Sequence, residues 1–96
     1  MSYRAILSTR AEADIRRMPP ALARYTLAQL HSLADSPTAL SRRSHFPFRQ
    51  NVQVFNFDYK IGGQYFIVNV LFQYGADESA LLIADAPWQE SFEWWE

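Results

Sequence analysis

Arginine carries most of the chemistry that this sequence advertises. Of nine cationic residues in 96, eight are arginine, and all eight fall within residues 1–50. There they meet only Glu12, Asp14 and Asp35, a balance of +5, whereas residues 51–96 set Lys60 against seven acids, a balance of −6. A guanidinium presents a planar fork of donors that meets carboxylate or phosphate through two parallel hydrogen bonds. The first half therefore suits an anionic partner, or pairing with the acidic second half. The densest stretch is Arg42, Arg43, His45 and Arg49. The net charge of −1 argues against a generic nucleic-acid binder, whose affinity comes largely from neutralised phosphates.

Other chemistries are poorly served. His31 and His45 are the only histidines, neither has a carboxylate at ligand spacing, and no cysteine is present, so no metal site is expected. The three glycines do not form a phosphate-cradling loop, and no nucleophile-elbow pattern occurs, so no nucleotide or other cofactor is implied. The end of the chain, Trp88-Gln89-Glu90-Ser91-Phe92-Glu93-Trp94-Trp95-Glu96, mixes four large aromatics with three acids. Trp88, Phe92 and Trp95 recur at helical spacing. They suit either packing over an end of the fold or binding, in which case Trp88 and Trp95 are the candidate contacts, including those of a homodimer.

The elements that must position these residues are readable from period and punctuation. Tyr3 to Ser8 alternates as a short strand. Thr9-Arg10-Ala11-Glu12 reads as a capping box opening a helix whose buried stripe is Ala11, Ile15 and Met18. Pro19-Pro20 ends it, and a second helix runs to about Asp35, burying Ala23, Leu27, Leu30 and Ala34 with Leu33 beside them. Thr38 to Gln50 has no clear period and reads as a loop. From Val52 the pattern is strand, with Phe55, Phe57 and Tyr59 opposed to Asn56 and Asp58. The parity change at Val52 and Val54 suggests a bulge or a strand covered on both faces. Ile61-Gly62-Gly63-Gln64 is a two-residue hairpin turn. Gln64 to Tyr74 is the strongest strand and should be central, with Phe66, Val68, Val70 and Phe72 on one face. Ala80 to Ala84 makes the last strand before Pro87 stops it.

The expected fold is α+β: an N-terminal strand, an αα-hairpin, then a three- to four-stranded antiparallel sheet. With 49% apolar residues, one core over residues 1–87 is affordable, and 88–96 reads as a separate aromatic, acidic tail. No apolar signal core or membrane-length stretch is present, so the cytoplasm is the expected compartment.

This order of elements, together with particular residues, resembles the RelE/ParE superfamily of bacterial toxin components. The resemblance rests on Tyr3-Arg4-Ala5-Ile6-Leu7-Ser8 leading into Ala11-Glu12-Ala13-Asp14-Ile15, on Met18-Pro19-Pro20, on the second helix through Ser36-Pro37, and on Tyr59 to Val68 with its glycine turn. It spans about residues 3 to 86. It implies the toxin of a type II toxin–antitoxin pair, neutralised by a cognate antitoxin and acting on translation, through the ribosome and mRNA, or on DNA gyrase. For a ribosome-dependent mRNA endonuclease, the resemblance implies cations for the phosphate and a proton acceptor for the ribose hydroxyl. The candidates are Arg49, His45 and Tyr65 as catalytic residues, with Arg42, Arg43 and Lys60 binding. Gln64, Asn69, Gln73 and Asp85 stand where cations would be expected, which favours action by binding. A third reading keeps the scaffold alone as an interaction domain.

Overall fold

Alternation along one strand, Gln64–Tyr74 (β4), organises the molecule: Phe66, Val68, Val70 and Phe72 are all fully buried, while the residues between them are half-buried or exposed. The computed structural model describes residues 3–37, 42–43, 52–76 and 79–91. In chain order the other elements are β1 (Arg4–Leu7), α1 (Thr9–Arg16), α2 (Pro20–Asp35), β2 (Arg42–Arg43), β3 (Gln53–Ile61), β5 (Ala80–Asp85) and β6 (Trp88–Ser91). The strands form one sheet in the order β1-β5-β4-β3-β2, with β6 also paired to β4. The helices cover one face. No helix among the described residues is long and apolar enough to cross a membrane.

The α+β architecture, the N-terminal strand and the two helices are as expected, and the sheet is larger and mixed. β1 joins it in parallel with β5, Arg4 to Leu7 lying opposite Ala80 to Ile83. Period-2 alternation marks a strand and its buried face but carries nothing about which neighbour it takes or in which direction.

Gly62 and Gly63 adopt φ of +53° and +84°, the left-handed pair that a tight two-residue hairpin requires. The turn sets β3 against β4 in unbroken register from Ile61–Gln64 to Gln53–Phe72. β3 therefore has no bulge against β4. The irregularity lies instead between β4 and β5, where Leu71 pairs with Asp85 but Phe72 with Ile83, leaving Ala84 as the extra residue. From Asp85 onward the new offset is kept to Tyr65–Ser91, so β6 continues β5 along the same edge of β4. Pro87 does not stop the chain's run along β4. It accepts from the Asn69 N–H at 2.9 Å and, having no N–H of its own, returns no bond.

Two helical details differ from the sequence reading. Ser8, not Thr9, caps α1: its Oγ accepts from Ala11 N–H at 3.0 Å and donates to the Ala84 carbonyl at 2.6 Å, fastening the helix to the sheet. The buried stripe of α2 is Leu22, Thr26, Leu30, Leu33 and Ala34, and Leu27 is 49% exposed. Thr26 can be buried because its hydroxyl lies 3.4 Å from Met18 Sδ. A polar residue with a partner thus shifted the face by about one position.

Candidate functional site

The face of the sheet turned away from the helices is the natural place for chemistry, because there the polar members of the alternating strands stand together. In an antiparallel ladder, residues in register share a face. On this face β3 contributes Asn56, Asp58 and Lys60, β4 contributes Tyr65, Ile67 and Asn69, and β6 contributes Gln89 and Ser91.

The Gly62-Gly63 turn places Lys60 directly opposite Tyr65, and the Lys60 Nζ lies 5.3 Å from the centre of the Tyr65 ring. Attraction between an ammonium and the ring quadrupole holds such a pair. On the other side, Tyr65 donates its hydroxyl to Asp58 Oδ2 at 3.0 Å. Asp58, Tyr65, Asn56, Ile67 and Phe57 line an open hollow of about 310 Å³. Asn56 and Asn69 face each other across the β3–β4 pair at its margin.

This arrangement offers an oriented carboxylate, an aromatic hydroxyl, one nearby cation and a surround of neutral amides. It suits hydrogen bonding and stacking. Among the described residues of β3, β4 and β6 Lys60 is the cation on this face, and Arg42, in register with Val54, lies one strand further out on β2.

The structure brings Lys60 and Tyr65 into contact and sets Arg42 and Arg43 on the edge strand beside β3, in register with Val54 and Gln53. His45, Arg49 and Trp95 lie outside the described residues. Trp88 is on the opposite, helix-bearing face: its ring centre is 6.1 Å from that of Phe66, and its Nε1 donates to the Asp14 carbonyl at 3.1 Å. It is engaged within the fold, in a strand, where the spacing with Phe92 and Trp95 suggested a helical turn. Residues 92–96 lie outside the described residues.

Sequence reasoning missed Asp58. A signal existed, since Asp58 is two residues from Lys60 and so shares its face once the turn fixes the register. Among the described residues no three His, Asp or Glu side chains converge as a metal site requires.

No protein-family model and no curated protein sequence matches the chain. Solved structures do. The chain is similar to the RelBE2 toxin–antitoxin complex of Mycobacterium tuberculosis at a TM-score of 0.71 and 12% identity, over 93% of this chain and 100% of that one. It is similar to the intact E. coli RelBE toxin–antitoxin complex at 0.62 and 11%, over 90% and 95%. A double arginine-to-alanine mutant of the E. coli toxin RelE in the free state gives 0.62 and 15%, over 91% and 83%. With so little identity spread over nearly the whole length, what is shared is the course of the backbone, and this chain has the fold of the RelE toxins.

Proposed function

We propose that the chain is the toxin component of a type II toxin–antitoxin pair, restraining growth until a cognate antitoxin neutralises it. The observation that carries this reading is the agreement in fold, from end to end, with RelE structures from two bacteria, two of them solved as toxin–antitoxin complexes. The action we infer is binding to a target in translation or at gyrase. It is supported by the open sheet face, where Asn56, Asn69 and Gln89 surround the Tyr65–Asp58 pair and Lys60 is the cation at hand.

Induced expression should arrest bacterial growth, and co-expression of the product of the adjacent reading frame should restore it. Growth that continues unaltered at full expression overturns the reading. Pulse-labelling of protein synthesis beside an assay of DNA supercoiling then separates the two targets.

One observation favours mRNA cleavage as a second reading. Asp58 and Tyr65 share a hydrogen bond, with Lys60 at the ring, which sets a proton acceptor and a cation together on the face turned away from the helices. Mapping transcript 5′ ends after induction, in wild type, Asp58→Asn and Arg49→Ala, decides it. New ends in wild type that vanish in Asp58→Asn would establish cleavage at this face, and no new ends at all would remove it.

A further inference from the structure

The hollow beside Tyr65 has more hydrogen-bonding capacity than the fold itself uses. Tyr65 donates to Oδ2 of Asp58 at 3.0 Å, and among the described residues Asp58 makes no other hydrogen bond or ion pair. An ionised carboxylate accepts at about four lone-pair sites and donates at none. The Tyr65 bond therefore orients Asp58 and leaves Oδ1, and part of Oδ2, to accept from something else. Asn56 is exposed too, and its side-chain amide has no partner among the described residues. It stands on the same face two residues earlier, about 7 Å along the strand. Directly across from Asp58 lies Ile67, which with Tyr65 gives the hollow half-buried apolar surface between the polar groups. Its volume of about 310 Å³ sits at the lower end of the roughly 300–1,000 Å³ of small-ligand sites. That suits one planar ring system.

We infer that this hollow is a recognition site for guanine, carried by a free nucleotide or by an unpaired guanosine in RNA. Guanine alone among the four bases presents two parallel donors on one edge, N1–H and the 2-amino group. A carboxylate meets such a pair as it meets a guanidinium. The neighbouring O6 accepts, and the Asn56 amide donates to it. Adenine N1, cytosine N3 and the carbonyls that flank uracil N3–H would each set an acceptor against Asp58, which can only accept. Tyr65 offers its ring beside the base, as aromatic side chains do for unstacked bases. Lys60, 5.3 Å from the centre of that ring, brings positive charge for the phosphate and offsets Asp58. An Asp58 held against a guanine edge is occupied as an acceptor. The RNA form of the inference thus rests on the reading of action by binding, and not on that of cleavage; the guanine chemistry rests on these residues alone.

The probes are the monophosphates of guanosine, inosine, xanthosine, adenosine, cytidine and uridine, and two RNA pentamers, one all uridine and one with a central guanosine. Each is titrated into the full chain and followed by NMR of backbone and asparagine side-chain amides. The proteins are wild type, Asp58→Asn, and His31→Ala as a control on the helical side; both substituted residues are exposed. Wild type and His31→Ala should bind guanosine monophosphate about tenfold more tightly than the adenosine, cytidine and uridine monophosphates. Inosine monophosphate, which keeps N1–H and lacks the amino group, should fall between. The shifts should fall on the Asn56 side-chain amide and on the Tyr65 and Ile67 backbone amides. Asp58→Asn sets a donor beside an acceptor. It should lose the preference for guanine and favour xanthosine monophosphate, whose ring carries N1–H beside a carbonyl, a gain that a damaged fold cannot produce.

Equal affinity for all the nucleotides, a guanine preference kept in Asp58→Asn, shifts confined to other faces, or binding of neither guanosine monophosphate nor the guanosine pentamer each overturns the site. A guanosine pentamer that binds at least as tightly as the monophosphate supports the site and assigns it to RNA; a monophosphate that binds where the pentamer does not supports it as a site for a free nucleotide. Growth arrest by a chain that discriminates among no nucleotides removes the guanine site and keeps the toxin reading; discrimination by a chain that arrests nothing does the reverse.

Discussion

At the scale of single residues, Asp14 joins the helices to the site-bearing half of the sheet. Its Oδ2 accepts from the Ala86 N–H at 3.0 Å and its carbonyl from Trp88 Nε1 at 3.1 Å, which pins α1 to the bend between β5 and β6. Asp14→Ala should lower stability by ~1–2 kcal/mol in urea unfolding, with Asp14→Asn, which keeps an oxygen acceptor, losing less. An alanine variant as stable as wild type would mean that the β4–β6 ladder holds the bend unaided. Tyr74, whose ring meets that of Tyr3 at 5.6 Å, has its phenol raised above 10.0, first by burial and then by the neighbouring Tyr3. The folded state therefore holds that proton longer than the unfolded chain does. The resulting stability is complete below pH ~10 and is lost as pH climbs through the raised value. Tyr74→Phe should flatten the alkaline decline seen in denaturant titrations; an identical decline in both proteins would assign it to other groups. At this scale the Lys60–Tyr65 pair was legible, because a two-residue turn makes them opposite. The Tyr65–Asp58 bond was not, since a diagonal contact depends on strand twist and side-chain rotamer.

At the scale of elements, the hairpin of β3 and β4 is the feature whose cause is most local. A Cβ added to Gly63 would meet nothing within 4 Å, so Gly63→Ala, at φ +84°, tests conformational strain without steric collision. It should cost ~1–2 kcal/mol in thermal or urea unfolding; a neutral result would show that the turn relaxes to another type at no expense. The helices were legible in extent and misread in detail for a shared reason. Ser8 and Thr9 are both favourable caps by type, serine somewhat the better, and the Ala84 carbonyl beside Ser8 favours Ser8 further. Leu27 and Thr26 compete for one helix face, and the sheet together with Met18 decides for the polar residue. The offset that carries β5 into β6 was hidden as well, because Pro87 signals the end of a strand while Asn69 on the neighbouring strand lets the run resume.

At the scale of the whole molecule, the core is small enough that one residue matters greatly. Phe72 is fully buried where the pairing of β4 with β5 shifts register, just past Leu71. Phe72→Ala should cost about 3–5 kcal/mol, a large part of the ~5–15 kcal/mol of a typical domain. Circular dichroism should show it largely melted or greatly lowered in Tm; a Tm near wild type would place the stability elsewhere. By itself the sequence determined whatever depends on neighbours along the chain: the two helices, the glycine hairpin, the central strand with its apolar face, and through them the α+β class. Only the tertiary structure decided that β1 lies parallel to β5, that Asp58 reaches Tyr65, and that the two line a hollow with Asn56 and Ile67. The reason is physical. Caps, turns and periods act over a few residues, whereas pairing direction, diagonal contacts and a hollow on a sheet face arise between separate segments of the chain, whose meeting no local pattern encodes.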